Sequence, residues 1–282
     1  MKKQPDVEQN RQAIRDSSSN LLAELDIEFL GRSEQRPVRM QLELLKAETI
    51  LRENDITTTV VVFGGTQVVA QEEAESRLAT AKRHQKSAPD DPRLARVIER
   101  AESVLAKAHF YDDAQEFGRI VSSTCQTDGK CDFVIATGGG PGIMEAANRG
   151  AFEVGAKSIG FNIELPHEQD SNPYITPELC FQFSYFALRK FHFILRAAAL
   201  VVFPGGFGTL DELFNTLTLR QTGRMQQIPI ILFGKEYWTK IINFQALADE
   251  GVVADEDLDL VYFAETAQEA WAIISEFYHL DK

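Results

Sequence analysis

Residues 57–66 read TTTVVVFGGT, a run of β-branched side chains that ends in two glycines. Valine and threonine favour extended backbone, and a short apolar run without polar alternation is typical of a strand buried on both faces. The glycines that follow predict a tight turn where this strand ends. The stretch therefore predicts a central strand of a covered sheet, with a glycine loop at its carboxyl end.

Similar apolar runs recur along the rest of the chain, at residues 132–136, 158–163, 179–183, 200–203, 228–233 and 260–263. Helical patterns lie between most of these runs, at residues 93–109, 111–125, 142–154, 185–198, 209–221, 237–249 and 267–279. Strands that alternate with helices predict an α/β fold, here a Rossmann-like, doubly wound parallel sheet of about seven strands with helices on both faces. Ligands of such sheets bind outside the carboxyl ends of the strands, so loops that follow strands are the first candidate sites.

The chain is predicted to consist of an arm and one domain. Residues 1–36 are polar and are interpreted as an N-terminal arm. Residues 37–282 are predicted to form a single Rossmann-like domain, whose first helix starts at Pro37 because proline suits the first helical turn. Residues 71–109 are rich in charge and are interpreted as a helical insertion with a two-proline turn at 88–92.

Charge and hydropathy limit the class of partner. The 282 residues carry 29 Lys and Arg against 42 Asp and Glu, a net charge of −13. Most of the excess acid lies in residues 236–282, whereas residues 137–224 are nearly neutral and can accept a small anion. The sequence has no basic stripe of the kind that binds a nucleic-acid backbone, so no nucleic-acid partner is expected. The longest apolar run, residues 197–203, is too short to span a membrane.

The lack of a secretory signal pattern and the spacing of the cysteines both favour a reducing compartment. No apolar segment of a secretory signal follows the first lysines. Cys125, Cys131 and Cys180 are odd in number and lack C-x-x-C spacing, so they predict neither a disulfide framework nor a zinc site. A cytoplasmic location is expected, with no membrane partner.

Two loops that follow strands are rich in glycine. Residues 137–148 read TGGGPGIMEAAN and residues 204–212 read PGGFGTLDE, each placing glycines between a strand and a helix. Glycine lets backbone N–H groups approach an oxyanion closely, and the following helix N-terminus adds unpaired N–H groups and a positive dipole end. Tight turns without a ligand are the alternative. Two such loops in one sheet, with Gly64-Gly65-Thr66 as a third, favour a phosphorylated ligand.

Neither standard nucleotide-binding motif is present. Counted from Gly138, the sixth position of G-x-G-x-x-G is Ile143, and G-x-x-x-x-G-K-[ST] does not occur in the sequence. A dinucleotide oxidoreductase and a P-loop ATPase are therefore not favoured.

Polar residues near these loops each have two explanations. Glu212 either caps its own helix, because T-x-x-E from Thr209 is a capping box, or serves a ligand beside the glycine loop. Arg189 and Lys190 lie in an apolar helical pattern and are either solvated or directed at a site. Adjacent residues point about 100 degrees apart around a helix, so at most one of these cations is expected to face a given site. His192 is interpreted as a packing or surface residue.

Residues 138–145 (GGGPGIME), Arg189-Lys190 and residues 204–212 (PGGFGTLDE) together resemble the LOG ("lonely guy") family. The resemblance runs from about Thr57 to the C-terminus. Members of that family are cytokinin riboside 5′-monophosphate phosphoribohydrolases, and bacterial relatives are AMP or other nucleotide 5′-monophosphate nucleosidases. Older labels call such chains lysine decarboxylases.

The resemblance implies a Rossmann-like hydrolase, assembled as a homodimer or higher homo-oligomer, that needs no metal or organic cofactor. Its implied reaction cleaves the N-glycosidic bond of AMP or a cytokinin riboside monophosphate to free base and ribose 5-phosphate. By position, Arg189 and Glu212 become the catalytic pair. The implied phosphate-binding residues are Gly205, Gly206, Gly208, Thr209, Gly139 and Gly140. Further implied pocket residues are Gly65, Thr66, Met144, Glu145 and Lys190.

The chain departs from the family pattern at two places. The plant-type M-H-x-R-K motif has Phe186 and Ala187 in place of Met and His, which predicts different recognition of the base. The first loop, usually G-S-[AS] and often followed by Arg, reads GGTQ at residues 64–67. Phosphate affinity is therefore expected to rely on Thr66 and the second glycine loop.

Two other functions remain open. A related Rossmann-like group carries molybdenum cofactor, a phosphorylated pterin, without hydrolysing it, and similar glycine loops serve that purpose. Retention of Arg189 and Glu212 favours the enzyme, because carriage of an anion needs no nearby carboxylate. A PLP-dependent decarboxylase is least favoured, since nothing in the sequence marks a Schiff-base lysine.

Overall fold

The computed structural model describes residues 6–88, 90–126, 131–165 and 170–280. Pro89, one of the two prolines in the predicted turn, lies outside the described residues. The chain divides into two compact units, Met1–Thr49 and Ile50–Lys282.

The first unit is helical. It contains α1 (Val7–Arg15) and α2 (Ile27–Gly31), and α3 (Arg36–Glu53) begins in it. Both short helices start at an aspartate: the carboxylates of Asp6 and Asp26 accept backbone N–H groups of the first turns, at 2.9 and 2.8 Å. These caps explain how a polar segment forms local helices.

The second unit contains a single sheet of seven parallel strands. Their bounds are β1 (Thr59–Phe63), β2 (Val134–Thr137), β3 (Ser158–Ile163), β4 (Cys180–Phe183), β5 (Ala197–Val202), β6 (Ile230–Phe233) and β7 (Val261–Ala264). The strand order is β4-β3-β2-β1-β5-β6-β7, and every neighbouring pair is parallel. The predicted α/β fold with a parallel sheet of about seven strands is confirmed.

The helices of this unit follow most of the strands. Their bounds are α4 (Gln71–Ser87), α5 (Pro92–Leu105), α6 (His109–Cys125), α7 (Ile143–Glu153), α8 (Phe186–Leu195), α9 (Phe207–Gln221), α10 (Lys235–Ile241), α11 (Phe244–Asp249) and α12 (Ala267–Tyr278). Within the described ranges, no helix combines the length and the apolar character that crossing a membrane requires.

Helices pack on both faces of the central strands. Val60 and Val62 of β1 share one buried cluster with side chains of α6, α7 and α12. Side chains alternate along a strand, so Phe63 points to the other face. There it packs edge-to-face against Phe193 of α8, with 4.7 Å between ring centroids. The central strand is thus buried on both sides, as the unbroken apolar run predicts.

Three of the predicted helices are wrong in their bounds. The helix predicted at 93–109 ends at Leu105, and His109 already starts α6. The helix predicted at 185–198 ends at Leu195, because Ala197 already pairs with β1 and the carbonyl of Arg196 accepts the Thr59 N–H at 2.8 Å. Sheet pairing overrides the helix propensity of alanine here. The helix predicted at 237–249 is two short helices, because the Asn243 side chain accepts the Ala246 N–H at 3.1 Å and starts a new one.

The strand order reverses between β1 and β5. From β1 the chain continues outward through β2, β3 and β4, and it then returns to β5 on the opposite side of β1. Loops after β1 and β5 therefore leave in opposite directions and open a crevice at their carboxyl ends. The glycine loops identified in the sequence follow β1, β2 and β5, so they surround this crevice.

Candidate active site

The three glycine loops contact each other through their backbones. Gly65 N–H donates to the Pro204 carbonyl at 2.9 Å, and Ile143 N–H donates to the Gly65 carbonyl at 3.4 Å. Gly142 has φ +72°, and a Cβ there would lie 2.5 Å from the Gly65 oxygen. Glycine is required at 142 both by this close approach and by its left-handed backbone.

A buried polar network holds the loop after β2. The Thr137 hydroxyl accepts the Gly139 N–H at 3.0 Å and donates to Asn148 Oδ1 at 2.7 Å. Asn172 donates its backbone N–H to the Gly139 carbonyl at 2.8 Å and its side-chain amide to the Gly140 carbonyl at 3.2 Å. With its backbone groups paired in this way, the loop is a preorganised wall of the crevice.

Helix α9 begins at Phe207 with Gly206 as its N-cap, and no side chain caps its first turn in this described segment. The capping explanation for Glu212 does not fit this helix, because its N-cap is Gly206 and not Thr209. The Thr209 side chain instead fills the space where a Cβ on Gly205 would lie. The exposed first-turn N–H groups of α9 are available to an anion.

Glu212 lies in the second turn of α9 and is only 6% exposed. Its Oε1 is 3.7 Å from Lys190 Nζ, which also donates to Asp211 Oδ2 at 2.6 Å. Burial raises the pKa of the Glu212 carboxyl, and the positive charges of Lys190 and Arg189 oppose that rise. A buried carboxylate whose pKa is affected by two nearby cations is better suited to acid–base or electrostatic catalysis than to solvation at the protein surface.

Arg189 is held in place by its Nε group and by an aromatic face. Nε donates to the Phe161 carbonyl at 2.7 Å, and Cζ lies 5.1 Å from the centroid of the Phe193 ring. A Cβ on Gly138 would lie 2.5 Å from Arg189 Nη2, so a side chain there would displace the guanidinium from this position. Burial lowers the pKa of Arg189 and the charge of Glu212 opposes this, but a guanidinium stays protonated in proteins.

A cavity of about 270 Å³ lies beside Arg189 in the crevice. Five sequence-predicted pocket residues line it, namely Thr66, Gly140, Met144, Arg189 and Gly208. Arg189 lines this cavity, whereas Lys190, its neighbour on α8, contacts Asp211 and Glu212 on α9.

The remaining predicted residues lie in the loops and helices around the cavity. The loop after β1 contains Gly65, and the loop after β5 contains Gly205 and Gly206. Thr209 lies in the first turn of α9. Gly139 has φ +74°, and a Cβ there would overlap the Asn162 amide. Glu145 accepts the hydroxyl of Tyr111 at 2.9 Å and is thereby directed toward α6.

Six further residues line the cavity and were not predicted as pocket residues from the sequence. They are Gly138, Asn162, Ile163, Leu165, Asp170 and Phe186. Asn162 carried a usable signal, because it is an amide near the end of an otherwise apolar strand. Its Nδ2 donates to the Phe181 carbonyl at 3.2 Å, and the side chain is almost fully buried. Leu165 and Asp170 had no signal, because they follow β3 without a motif.

Comparisons with known proteins find similarity over the part of the chain that carries this site. A family profile described as "possible lysine decarboxylase" matches residues 144–274, which include Arg189 and Glu212. Over this segment, which is a little under half of the chain, the protein is similar to the lysine decarboxylase (LOG) family. A rice protein (Oryza sativa subsp. japonica) named "probable cytokinin riboside 5′-monophosphate phosphoribohydrolase LOGL3" is 26% identical over 157 residues, covering 52% of this chain and 70% of the rice protein.

Two solved structures are similar at lower identity. The molybdenum cofactor binding protein of the phototrophic bacterium Rippkaea orientalis is 20% identical with a TM-score of 0.42, over 60% of this chain and 88% of that chain. A structural-genomics target is 24% identical with a TM-score of 0.43, over 60% of this chain and 89% of that chain.

Proposed function

We propose that this protein hydrolyses the N-glycosidic bond of a nucleoside 5′-monophosphate, giving free base and ribose 5-phosphate. The observation that carries the proposal is the buried Glu212 carboxylate in the second turn of α9, which lies 3.7 Å from Lys190 Nζ and within electrostatic reach of Arg189, a residue that lines the cavity. The rice relative's name as a probable phosphoribohydrolase supports the same reaction class.

The 5′-phosphate is assigned to the start of α9 and the loops that meet it. First-turn N–H groups and the helix dipole favour an anion there. The same cavity is lined by Thr66, from the loop after β1, and by Gly208, from the first turn of α9. Hydroxyl and backbone donors therefore converge on the cavity. A cluster of lysines and arginines is not needed for this mode of phosphate binding.

The base is assigned to the apolar end of the cavity. Met144, Leu165 and Phe186 supply apolar and aromatic surface on which a purine can stack. Asn162 and Asp170 supply polar groups in the same wall. This combination of apolar area with few polar groups is typical of a small-molecule site.

The chemistry follows from how charge develops as the C–N bond breaks. Positive charge builds on the ribose ring, which a nearby carboxylate stabilises, and negative charge builds on the departing base. Glu212 as a carboxylate meets the first need and can also accept a proton from the attacking water. Arg189, permanently charged and planar, clamps the phosphate or the leaving base.

Carriage of a phosphorylated ligand without hydrolysis is the competing function. A carrier of an anion gains nothing from a buried carboxylate near its site, because the two negative charges repel. Glu212 is costly to bury as an ion, and a catalytic role accounts for its retention beside Arg189. For this reason we favour the hydrolase.

We predict that AMP incubated with the full chain releases adenine and ribose 5-phosphate in equal amounts. AMP, GMP, CMP, UMP and IMP are compared by chromatography of the released base, with adenosine as the control that lacks a phosphate. Because the phosphate-binding energy is lost, adenosine is expected to show at least ~100-fold lower kcat/KM. Release of no base from any monophosphate contradicts the hydrolase, and recovery of a bound but intact nucleotide indicates a carrier.

The charges around Glu212 predict opposite pH shifts for two variants. Activity that needs the Glu212 carboxylate falls as the pH drops through its pKa. Lys190 lowers that pKa and Asp211 raises it. The acid limb of kcat/KM should therefore move to higher pH in Lys190→Met and to lower pH in Asp211→Asn. A pH–rate profile of AMP hydrolysis measures both; limbs that do not move, or move together, contradict Glu212 as the titrating group.

A further inference from the structure

Tyr237 connects helix α10 to the second glycine loop. Its hydroxyl donates to the Gly205 carbonyl at 2.7 Å, across 32 positions of sequence. The side chain is half-buried, and its ring packs edge-to-face on Trp238, with 5.2 Å between centroids. Burial raises the pKa of Tyr237, so its hydroxyl stays protonated and acts as a donor.

The Gly205 carbonyl belongs to the same peptide unit as the Gly206 N–H. The peptide is planar and trans, so this C=O and this N–H point in opposite directions. A donor that holds the carbonyl on one side therefore fixes the direction of the N–H on the other side. Accepting a hydrogen bond at the oxygen also polarises the unit and strengthens its N–H as a donor.

This peptide has few other restraints on its orientation. It is flanked by Gly205 and Gly206, and glycine rotates more freely than any other residue. The position of a Cβ on Gly206 has no atom within 4 Å among the described residues, whereas the Thr209 side chain occupies that of Gly205. Tyr237 thus supplies a side-chain hydrogen bond that holds the 205–206 peptide from behind.

We propose that Tyr237 is a positioning residue for phosphate recognition: it aims the Gly206 N–H at the 5′-phosphate by anchoring the Gly205 carbonyl. The inference rests on the proposed function, because it assigns the phosphate to this loop. Tyr237 itself touches neither phosphate nor reacting atoms, so it acts on binding of the phosphate rather than on cleavage.

The test compares Tyr237→Phe with a matched control, Tyr278→Phe. Tyr278 is also half-buried, and its hydroxyl also donates to a backbone carbonyl, that of Ala198 at 2.8 Å. Ala198 lies near the start of β5, at the end of that strand away from the glycine loop. Each variant loses one hydrogen bond of the same kind, so both are expected to lower Tm by a similar amount.

Tyr237→Phe is expected to raise the Kd of ribose 5-phosphate and the KM of AMP by about five- to tenfold, with kcat within about twofold. Calorimetric titration gives the Kd, and steady-state base release gives the KM–kcat split. Tyr278→Phe should leave Kd and KM unchanged. Equal ribose 5-phosphate affinity in wild type and Tyr237→Phe overturns the inference, as does an equal loss in both variants.

The same experiment separates this inference from the proposed function. If the wild-type protein releases no base, the hydrolase proposal fails, but the ribose 5-phosphate titration still decides the role of Tyr237. If the wild-type protein does not bind ribose 5-phosphate, the phosphate assignment and this inference fail together. Weaker binding of ribose 5-phosphate by Tyr237→Phe alone supports the inference, whether or not the wild-type protein releases base.

Discussion

Glu212→Gln is expected to bind AMP with near wild-type affinity while releasing adenine at least ~100-fold more slowly. Glutamine keeps the size and shape of the side chain but removes the negative charge. Only the transition state carries positive charge on the ribose, so the loss falls on kcat rather than on substrate binding. Calorimetric titration with AMP and single-turnover base release measure the two quantities separately.

Because Glu212 is buried, the melting temperature of Glu212→Gln distinguishes a catalytic role from a structural one. Burial raises the pKa of Glu212, which means that its charged form is disfavoured by its surroundings. Removing the charge should therefore not destabilise the fold, and we expect Tm to be maintained or increased. A fall in Tm with turnover intact would contradict catalysis and assign Glu212 a structural role.

Asp211→Asn is the matched control for this prediction. Asp211 is the neighbouring acid, contacts the same Lys190 ammonium at 2.6 Å, and has a side chain that is 60% exposed. It carries the same formal charge as Glu212, whose side chain is buried. Its amide variant is expected to keep kcat within a few-fold of wild type at neutral pH, apart from the shifted acid limb. An equal loss in both variants would indicate a general charge effect.

The sheet was predictable because its signals are local. Unbroken apolar runs such as 57–63 and 228–233 contain enough β-branched residues to favour strands, and burial on both faces forbids polar alternation. The bounds failed where a longer-range contact decided them. Ala197 joins the sheet because β1 lies beside it, and Asn243 divides a helix by capping the second half.

The site was predictable only where glycine marks it. Gly142 is required by its left-handed backbone and its close approach to the Gly65 carbonyl, Gly138 leaves room for the Arg189 guanidinium, and the loops bearing them meet as expected. The capping alternative for Glu212 depended on Thr209 being the N-cap of α9, but the N-cap is Gly206, three residues earlier. The contacts of Tyr237 with Gly205 and of Tyr111 with Glu145 join distant segments, so no local pattern indicates them.

Arg189→Lys is expected to lower kcat/KM for AMP by ~100-fold or more, although the positive charge is kept. The guanidinium uses Nε to hold the Phe161 carbonyl and presents its remaining N–H groups beside Gly138. Lysine has one ammonium, which cannot bond that carbonyl and clamp a ligand in a planar arrangement at once. The variant also leaves a buried strand carbonyl without its donor, at a cost of about 1–3 kcal/mol.

Arg149→Lys provides the comparison, because it makes the same substitution outside the crevice. Arg149 Nε donates to Glu153 at 2.8 Å on the surface of α7, and both side chains are more than a third exposed. Surface pairs of this kind contribute little, so its kcat/KM should stay within about twofold of wild type. Wild-type turnover in Arg189→Lys would show that charge alone suffices and that the planar clamp has no part in the reaction. Loss in Arg189→Lys alone, with AMP still bound, would tie the fixed orientation of this guanidinium to the cleavage step.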